Sequence, residues 1–209
     1  MADDFLSRLY LSLTWVKVTS GGVSEILGLV VRRSSDMGLH TEVLQSREDP
    51  TTWILCDYHR DVPHEGPLDL PMTLKPLKSE IFQRAFPSPT ATASASGHWL
   101  SGDDFVGPME DALYYAVFFD ILPQHVVAFA QGLTEEAAAV EHLELKTARF
   151  HLWQNTTDAS RWVVLEAFRE AAGREEHASM PHYLKIRAQL EEWQRSPRSH
   201  DTGYSLILS

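Results

Sequence analysis

The chain contains a single cysteine, Cys56, among 209 residues. One cysteine can form neither an intrachain disulfide nor a Cys-rich zinc site, and it suits a reducing compartment. Long apolar runs are also missing, and no stretch reaches the ~18 uninterrupted residues of a membrane span. The opening MADDFLSRLYLSLTW places two acids before its first base. A secretory signal opens basic and a mitochondrial presequence avoids acids, so a soluble cytoplasmic protein is expected. Basic residues are scarce, with Lys plus Arg at 18 against Asp plus Glu at 29, a formal charge of −11. Such a balance repels phosphate backbones and anionic lipid, so neither nucleic acid nor membrane is an expected partner. Phosphate-cradling Gly-rich loops, GxSxG elbows and nucleotide fingerprints are absent, and the ten histidines show no metal-ligand spacing. No cofactor and no metal is expected.

The chain does contain an internal duplication. Residues 42–61 read EVLQSREDPTTWILCDYHRD, and residues 150–170 read FHLWQNTTDASRWVVLEAFRE. Each is an alternating run, a polar turn, a Trp, three aliphatic-type residues, an acid, an aromatic and a basic–acidic pair. Trp53 matches Trp162, Asp57 matches Glu166, and Arg60-Asp61 matches Arg169-Glu170. Turn formers at the centre of each make both segments β-hairpins. Upstream, Leu9–Val18 and Leu113–Leu122 are rich in β-branched and aromatic residues and read as strands. Each leads into a helical pattern, about Ser24–Ser34 and about Gln124–His142, the latter with a potential split at Gly132 and the cap Thr134.

The order is therefore strand, helix, strand, strand, twice. In the second copy a short helix Ala171–His177, a break at Met180-Pro181, a helix His182–Arg195 and a closing strand Tyr204–Leu208 follow. In the first copy only about Lys78–Phe86 has helical character. The expected fold is α+β: two ferredoxin-like split βαβ domains, antiparallel sheets with helices on one face. Residues 5–86 would form the N-terminal domain, 87–108 a Pro/Ser/Ala-rich linker, and 109–209 the C-terminal domain. Each such sheet has one bare apolar face, so two copies on one chain would cover each other.

The segment Trp162–Trp193, WVVLEAFREAAGREEHASMPHYLKIRAQLEEW, resembles the end of an antibiotic biosynthesis monooxygenase domain. The matching features are a strand ending in Glu166, an aromatic at Phe168, an acidic helix, His177, and Met180-Pro181-His182-Tyr183, where Met180 replaces the usual Thr. The resemblance covers about 113–208 and is weaker over 9–86. It implies a dimeric α+β barrel arrangement, here pairing within one chain and compatible with a homodimer of such chains. It also implies a cofactor-independent monooxygenase, or a related isomerase, acting on a small aromatic, quinol or enediol-type molecule.

Strand alternation sorts the candidate site residues into faces. Trp162, Glu166 and Phe168 share one face of their strand, opposite Val163, Leu165 and Ala167. The aliphatic set suits packing under helices, so the aromatic set is expected in the cavity between the sheets. Tyr114 and Phe118 on the first strand of the second copy, and His151 and Trp153 on the next, are expected to join it as substrate-binding residues. Trp53, Leu55, Asp57 and His59 are their counterparts in the first copy. The catalytic candidates are Glu166, His177 and His182. Glu166, in a low-dielectric cavity, could handle a proton near neutrality, or pair with Arg149, Arg161 or a helix N-terminus and only fix geometry. His177 and His182 could act on a phenol or enediol, or could terminate helices by satisfying carbonyls. Cys56 reads as a buried, inert thiol. The alternative to an enzyme is a catalytically degenerate barrel that binds a small ligand or a protein.

Overall fold

The strand–helix–strand–strand order occurs twice in the computed structural model, which describes residues 10–19, 21–36, 40–59, 75–84, 112–196, 199–200 and 204–208. The first copy is β1 (Tyr10–Lys17), α1 (Val23–Asp36), β2 (His40–Ser46), β3 (Thr52–His59) and β4 (Lys75–Arg84). The second is β5 (Leu113–Asp120), a 3-10 turn Pro123–His125, α2 (Val126–Leu143), β6 (Thr147–Asn155) and β7 (Arg161–Phe168). It continues with α3 (Ala171–Ser179), α4 (Pro181–Trp193), β8 (Ser199–His200) and β9 (Tyr204–Leu208). The linker 87–108 lies outside the described residues. No helix among the described residues is long and apolar enough to cross a membrane.

Each copy is built on a three-stranded antiparallel sheet, β2-β3-β1 and β6-β7-β5. The two hairpin turns repeat atom for atom. In the first, the Gln45 side-chain amide and the Trp53 indole N–H both donate to the carbonyl of Pro50, at 2.9 and 2.8 Å. In the second, Gln154 and Trp162 donate to the carbonyl of Ala159, at 2.9 and 3.0 Å. A turn carbonyl held by an indole and an amide needs those two residues at that spacing, which is why the duplication is visible in sequence.

The copies exchange edges. Strand β4 pairs with β1 of its own copy and, through Phe82, Gln83 and Arg84, with β6 of the other. Strand β9 pairs with β2 of the first copy over four registered positions and meets β5 at Tyr114↔Tyr204. Among the described residues these seams are thin, three pairs at β4–β6 and one at β5–β9. Two sheets stacked face to face and sharing edges, not a uniformly paired barrel, describe the result. Lys78–Phe86, expected to have helical character, contains instead most of β4. Two open strand edges, one from each copy, flank that segment, and ladder pairing overrides a weak helical propensity.

The core has three layers. Between the sheets pack Leu11, Leu13, Trp15, Ile54 and Tyr58 from one copy and Tyr114, Ala116, Trp153, Val163 and Leu165 from the other. Under α1 lie Val16, Val43, Trp53 and Leu55, met by Ile26, Leu29 and Val30. Under α2 and α4 lie Phe119, Phe150, Leu152, Trp162 and Val164, met by Phe129, Leu133, Ile186 and Leu190. Helix α2 runs unbroken through Gly132 and Thr134. Thr134 does not cap, because its hydroxyl donates to the carbonyl of Ala130 within the helix at 2.8 Å. Ile186 and Trp193 of α4 pack beside Gly132, at ordinary contact distance from where a side-chain carbon would stand.

Candidate functional site

The core layers reverse part of the expected face assignment. Val163, Leu165 and Ala167 lie between the sheets, while Trp162, Val164 and Phe168 face the helices. Glu166 shares that helix face and lines a cleft beneath α4. The first copy behaves alike, with Trp53 and Leu55 under α1. Alternation tells which residues share a face, but not which layer the face meets. Here the bulky aromatics fill the deeper helix–sheet layer, and the small aliphatic set lets the two sheets approach.

Among the described residues, the inter-sheet space, expected to be the substrate cavity, holds closely packed aromatic side chains. Tyr114, Phe118 and Trp153 do point into it, and His151 joins them by alternation. Trp15 packs on Phe118 with centroids 5.4 Å apart, and Tyr58 on Trp153 at 5.9 Å. A buried ion pair lies within the layer. Arg149 donates two hydrogen bonds to Glu42, at 2.8 and 2.6 Å, and the Tyr58 hydroxyl donates to the same carboxylate at 2.7 Å. Glu42 raises the Arg149 pKa further above its ordinary value, against the opposing effect of burial. Of the arginines offered as partners for Glu166, Arg149 bonds Glu42 and Arg161 bonds Glu80 at 2.6 Å. Cys56 is fully buried as expected, and burial pushes its thiol well above the ordinary value.

The polar convergence lies on the helix side. Helix α2 ends at Glu144, whose backbone N–H donates to the carbonyl of Val140 and whose side chain turns inward, 5% exposed. His177 sits in the last turn of α3. Met180 caps the end of that helix and precedes Pro181, the first residue of α4, so the chain turns sharply there. The turn brings His182 back beside His177, with ring centroids 6.2 Å apart. His177 Nδ1 lies 2.9 Å from Glu144 Oε1, and His182 Nε2 lies 2.6 Å from the same oxygen. The Thr147 hydroxyl donates to Oε2 at 2.6 Å. Glu144 is the residue that sequence reading missed. It stands 33 positions before His177, and no spacing rule links a helix terminus to a later helix pair. Linear spacing likewise gave no ligand set, yet Glu144, His177 and His182 gather their donor atoms within 4.8 Å.

His177 is 3% exposed and boxed by Phe150, Phe168 and Tyr183, at 5.7, 5.6 and 4.9 Å between centroids. Its Nδ1 faces Glu144, so this nitrogen carries the proton, and its buried Nε2 has no hydrogen-bond partner among the described residues. Burial pulls its pKa down, but the bond to Glu144 and the charges of Glu166, Glu144 and Glu136 outweigh that, so the net shift is upward. Burial pushes the Glu144 carboxyl up, but its hydrogen bonds with His177, Thr147 and His182 outweigh this and lower it overall. His177, Glu166, Glu136, Tyr183 and Arg187 line the cleft, over a floor that includes Phe119, Phe150 and Val164. About 10 Å³ of it is open to the centre of a water molecule, room for one water.

No family model matches the chain, and no curated protein matches it in sequence. Solved structures do match. A "putative monooxygenase" from Lactobacillus acidophilus NCFM superposes with a TM-score of 0.63 at 9% identity, covering 97% of this chain and 99% of that one. A "putative monooxygenase" from Fusobacterium nucleatum gives 0.63 at 11% identity, covering 97% and 96%. A "putative antibiotic biosynthesis monooxygenase" from Nitrosomonas europaea gives 0.42 at 21% identity, covering 50% of this chain and 93% of that one. At these identities the full-length likenesses establish the fold. Both extend over the two copies together, so the tandem α+β architecture read from the sequence is that of known structures.

Proposed function

We propose that the chain is a small oxygenase in which His177 serves as general base within the helix-side cleft of the second copy. The observation that carries this reading is the Glu144–His177 dyad, with Nδ1 held by a buried carboxylate and Nε2 left without a hydrogen-bond partner among the described residues. A carboxylate on one imidazole nitrogen fixes the tautomer and orientation and stabilises the cation formed when the other takes a proton. The name carried by the two full-length neighbours supports the reaction class.

The substrate class is a small phenol, quinol or enediol. His177 Nε2 accepts its hydroxyl proton, and the resulting anion is electron-rich enough to reduce dioxygen itself. One oxygen atom enters the ring and the other leaves as water, so a phenol plus dioxygen gives a quinone plus water. Glu166, on the same cleft, orients the substrate, and the aromatic box keeps bulk water from the reacting centre. With room for one water as it stands, the cleft must widen to admit a ring. His182 holds Glu144 from the other side. Tyr114, Phe118, His151 and Trp153 serve the packing of the sheets in this reading.

A panel of dihydroxynaphthalenes and quinols, followed by oxygen uptake, tests the proposal. His177→Gln is expected to lower kcat by about 10²–10⁴, and Glu166→Gln to raise KM. Oxygen uptake that is unaffected by His177→Gln would sink it. A second reading, a non-catalytic ligand-binding module, is favoured by the aromatic packing between the sheets, and a panel that binds without turnover would select it.

A further inference from the structure

Three donor atoms converge beside α4 from three separate elements. Glu144 Oε1 comes from the end of α2, His177 Nδ1 from the last turn of α3 and His182 Nε2 from the first turn of α4. The geometry points to a binding site for one first-row divalent transition ion of the zinc class, held by Glu144, His177 and His182. It goes beyond the proton-transfer reading and does not depend on it.

The distances fit an ion. Bonds from zinc to imidazole nitrogen and carboxylate oxygen are about 2.0–2.2 Å, so neighbouring donors on one coordination sphere sit about 2.9–3.5 Å apart. The carboxylate oxygen lies 2.9 and 2.6 Å from the two nitrogens. The three donor atoms lie within 4.8 Å of one another, so side-chain rotations that bring the two nitrogens to within about 4 Å place all three on one coordination sphere. Two imidazoles and one carboxylate suit zinc, cobalt, nickel or iron(II), and disfavour magnesium and calcium, which take oxygen ligands. The set is supported from outside. The Thr147 hydroxyl donates to Oε2, which also lies 3.0 Å from His177 Nδ1, so the carboxylate is held in place from outside the cluster. Pro181 fixes the entry into α4, so His182 has little freedom to swing away. Three ligands leave further positions for water or substrate.

Occupancy changes the chemistry of the cleft. An ion on His177 Nδ1 forces the remaining ring proton onto Nε2, and that nitrogen can no longer take a proton. The same ring therefore serves either as base or as ligand, and the metal acts as an inhibitor of the base.

The test uses the full chain, stripped with a chelator and dialysed, titrated with Co²⁺ and followed by visible absorption. The expected result is one saturable Co²⁺ per chain, with ligand-field bands, displaced by Zn²⁺. Zn²⁺ is expected to shift the ring ¹⁵N resonances of His177 and His182. His182→Asn should weaken binding more than about tenfold. His142→Ala should leave it unchanged, because that exposed ring bonds its own helix carbonyl at Ala138 and lies outside the three-residue cluster. Absence of saturable binding, binding that leaves the His177 and His182 resonances in place, or wild-type affinity in His182→Asn each overturns the site. If His182→Asn fails to fold, the resonance shifts of the native chain decide alone. These readouts are independent of oxygen uptake, so an inactive chain can still bind metal, and an active one can fail to.

Discussion

Glu42 and Arg149, 107 positions apart and on opposite copies, meet as a bidentate ion pair with side chains 0% and 3% exposed. Two charges buried between sheets are costly to desolvate, and their mutual geometry repays that cost only while both are present. Arg149→Met should therefore destabilise the chain by about 3–5 kcal/mol in urea unfolding, because Glu42 is left charged and buried. Adding Glu42→Leu to that variant should recover much of the loss. A single variant as stable as the native chain would show that the pair contributes no specificity of pairing.

The Glu144–His177 pair predicts a defined pH response in metal-free protein. His177 has a raised pKa in the folded state, so its contribution is fully present below about 6.5, the unfolded value. It is lost as pH rises through the raised folded value. Glu144 has a lowered pKa, so its contribution is present above the ordinary carboxylate value and fades as pH falls through the lowered one. Unfolding free energy measured across pH should decline as pH rises above about 6.5, and His177→Gln should flatten that limb. A limb unchanged in the variant would assign the effect elsewhere.

Two glycines give opposite expectations. A side-chain carbon at Gly173 would meet Lys146 Cβ at 2.9 Å and the Lys146 carbonyl at 3.2 Å, so α3 could no longer sit against the start of β6. Gly173→Ala should cost about 1–3 kcal/mol. At Gly132 the nearest atom is Ile186 Cδ1, at 3.4 Å, which is ordinary contact. Gly132→Ala should be neutral or stabilise by up to about 1 kcal/mol, through helix propensity. Thermal melts of the two variants, compared side by side, check both.

Cys56 is fully buried with a raised thiol pKa, so thiolate is scarce and access is closed. A disulfide reagent should leave it unmodified in native protein and react stoichiometrically in denaturant. Rapid labelling of the native chain would contradict this packing.

Much of the architecture was legible because repeated local chemistry encodes it. Trp53 and Trp162 with their turns marked equivalent hairpins, and Met180-Pro181 marked the break between α3 and α4. Three things were not. The face of Trp162, Glu166 and Phe168 was assigned to the wrong layer, because alternation carries phase without direction. The strand β4 was hidden, because its pairing partners β1 and β6 come from distant parts of the chain. Glu144 was overlooked because its role depends on where α2 stops relative to a helix corner formed later. Of the candidate site, His177 and His182 are the residues that the sequence singles out and the fold brings together, and the carboxylate joining them is visible only in the fold.

The pairing of β2 with β9 bears on how the chain is made. During synthesis β2 emerges early, and its outer edge has no partner until β9 far downstream has been produced. For that interval the first copy displays an open row of backbone donors and acceptors, the kind of edge on which other chains pair. A ribosome that stalls before β9 thus releases a sheet whose exposed rim invites aggregation, although every residue of the first copy is already present.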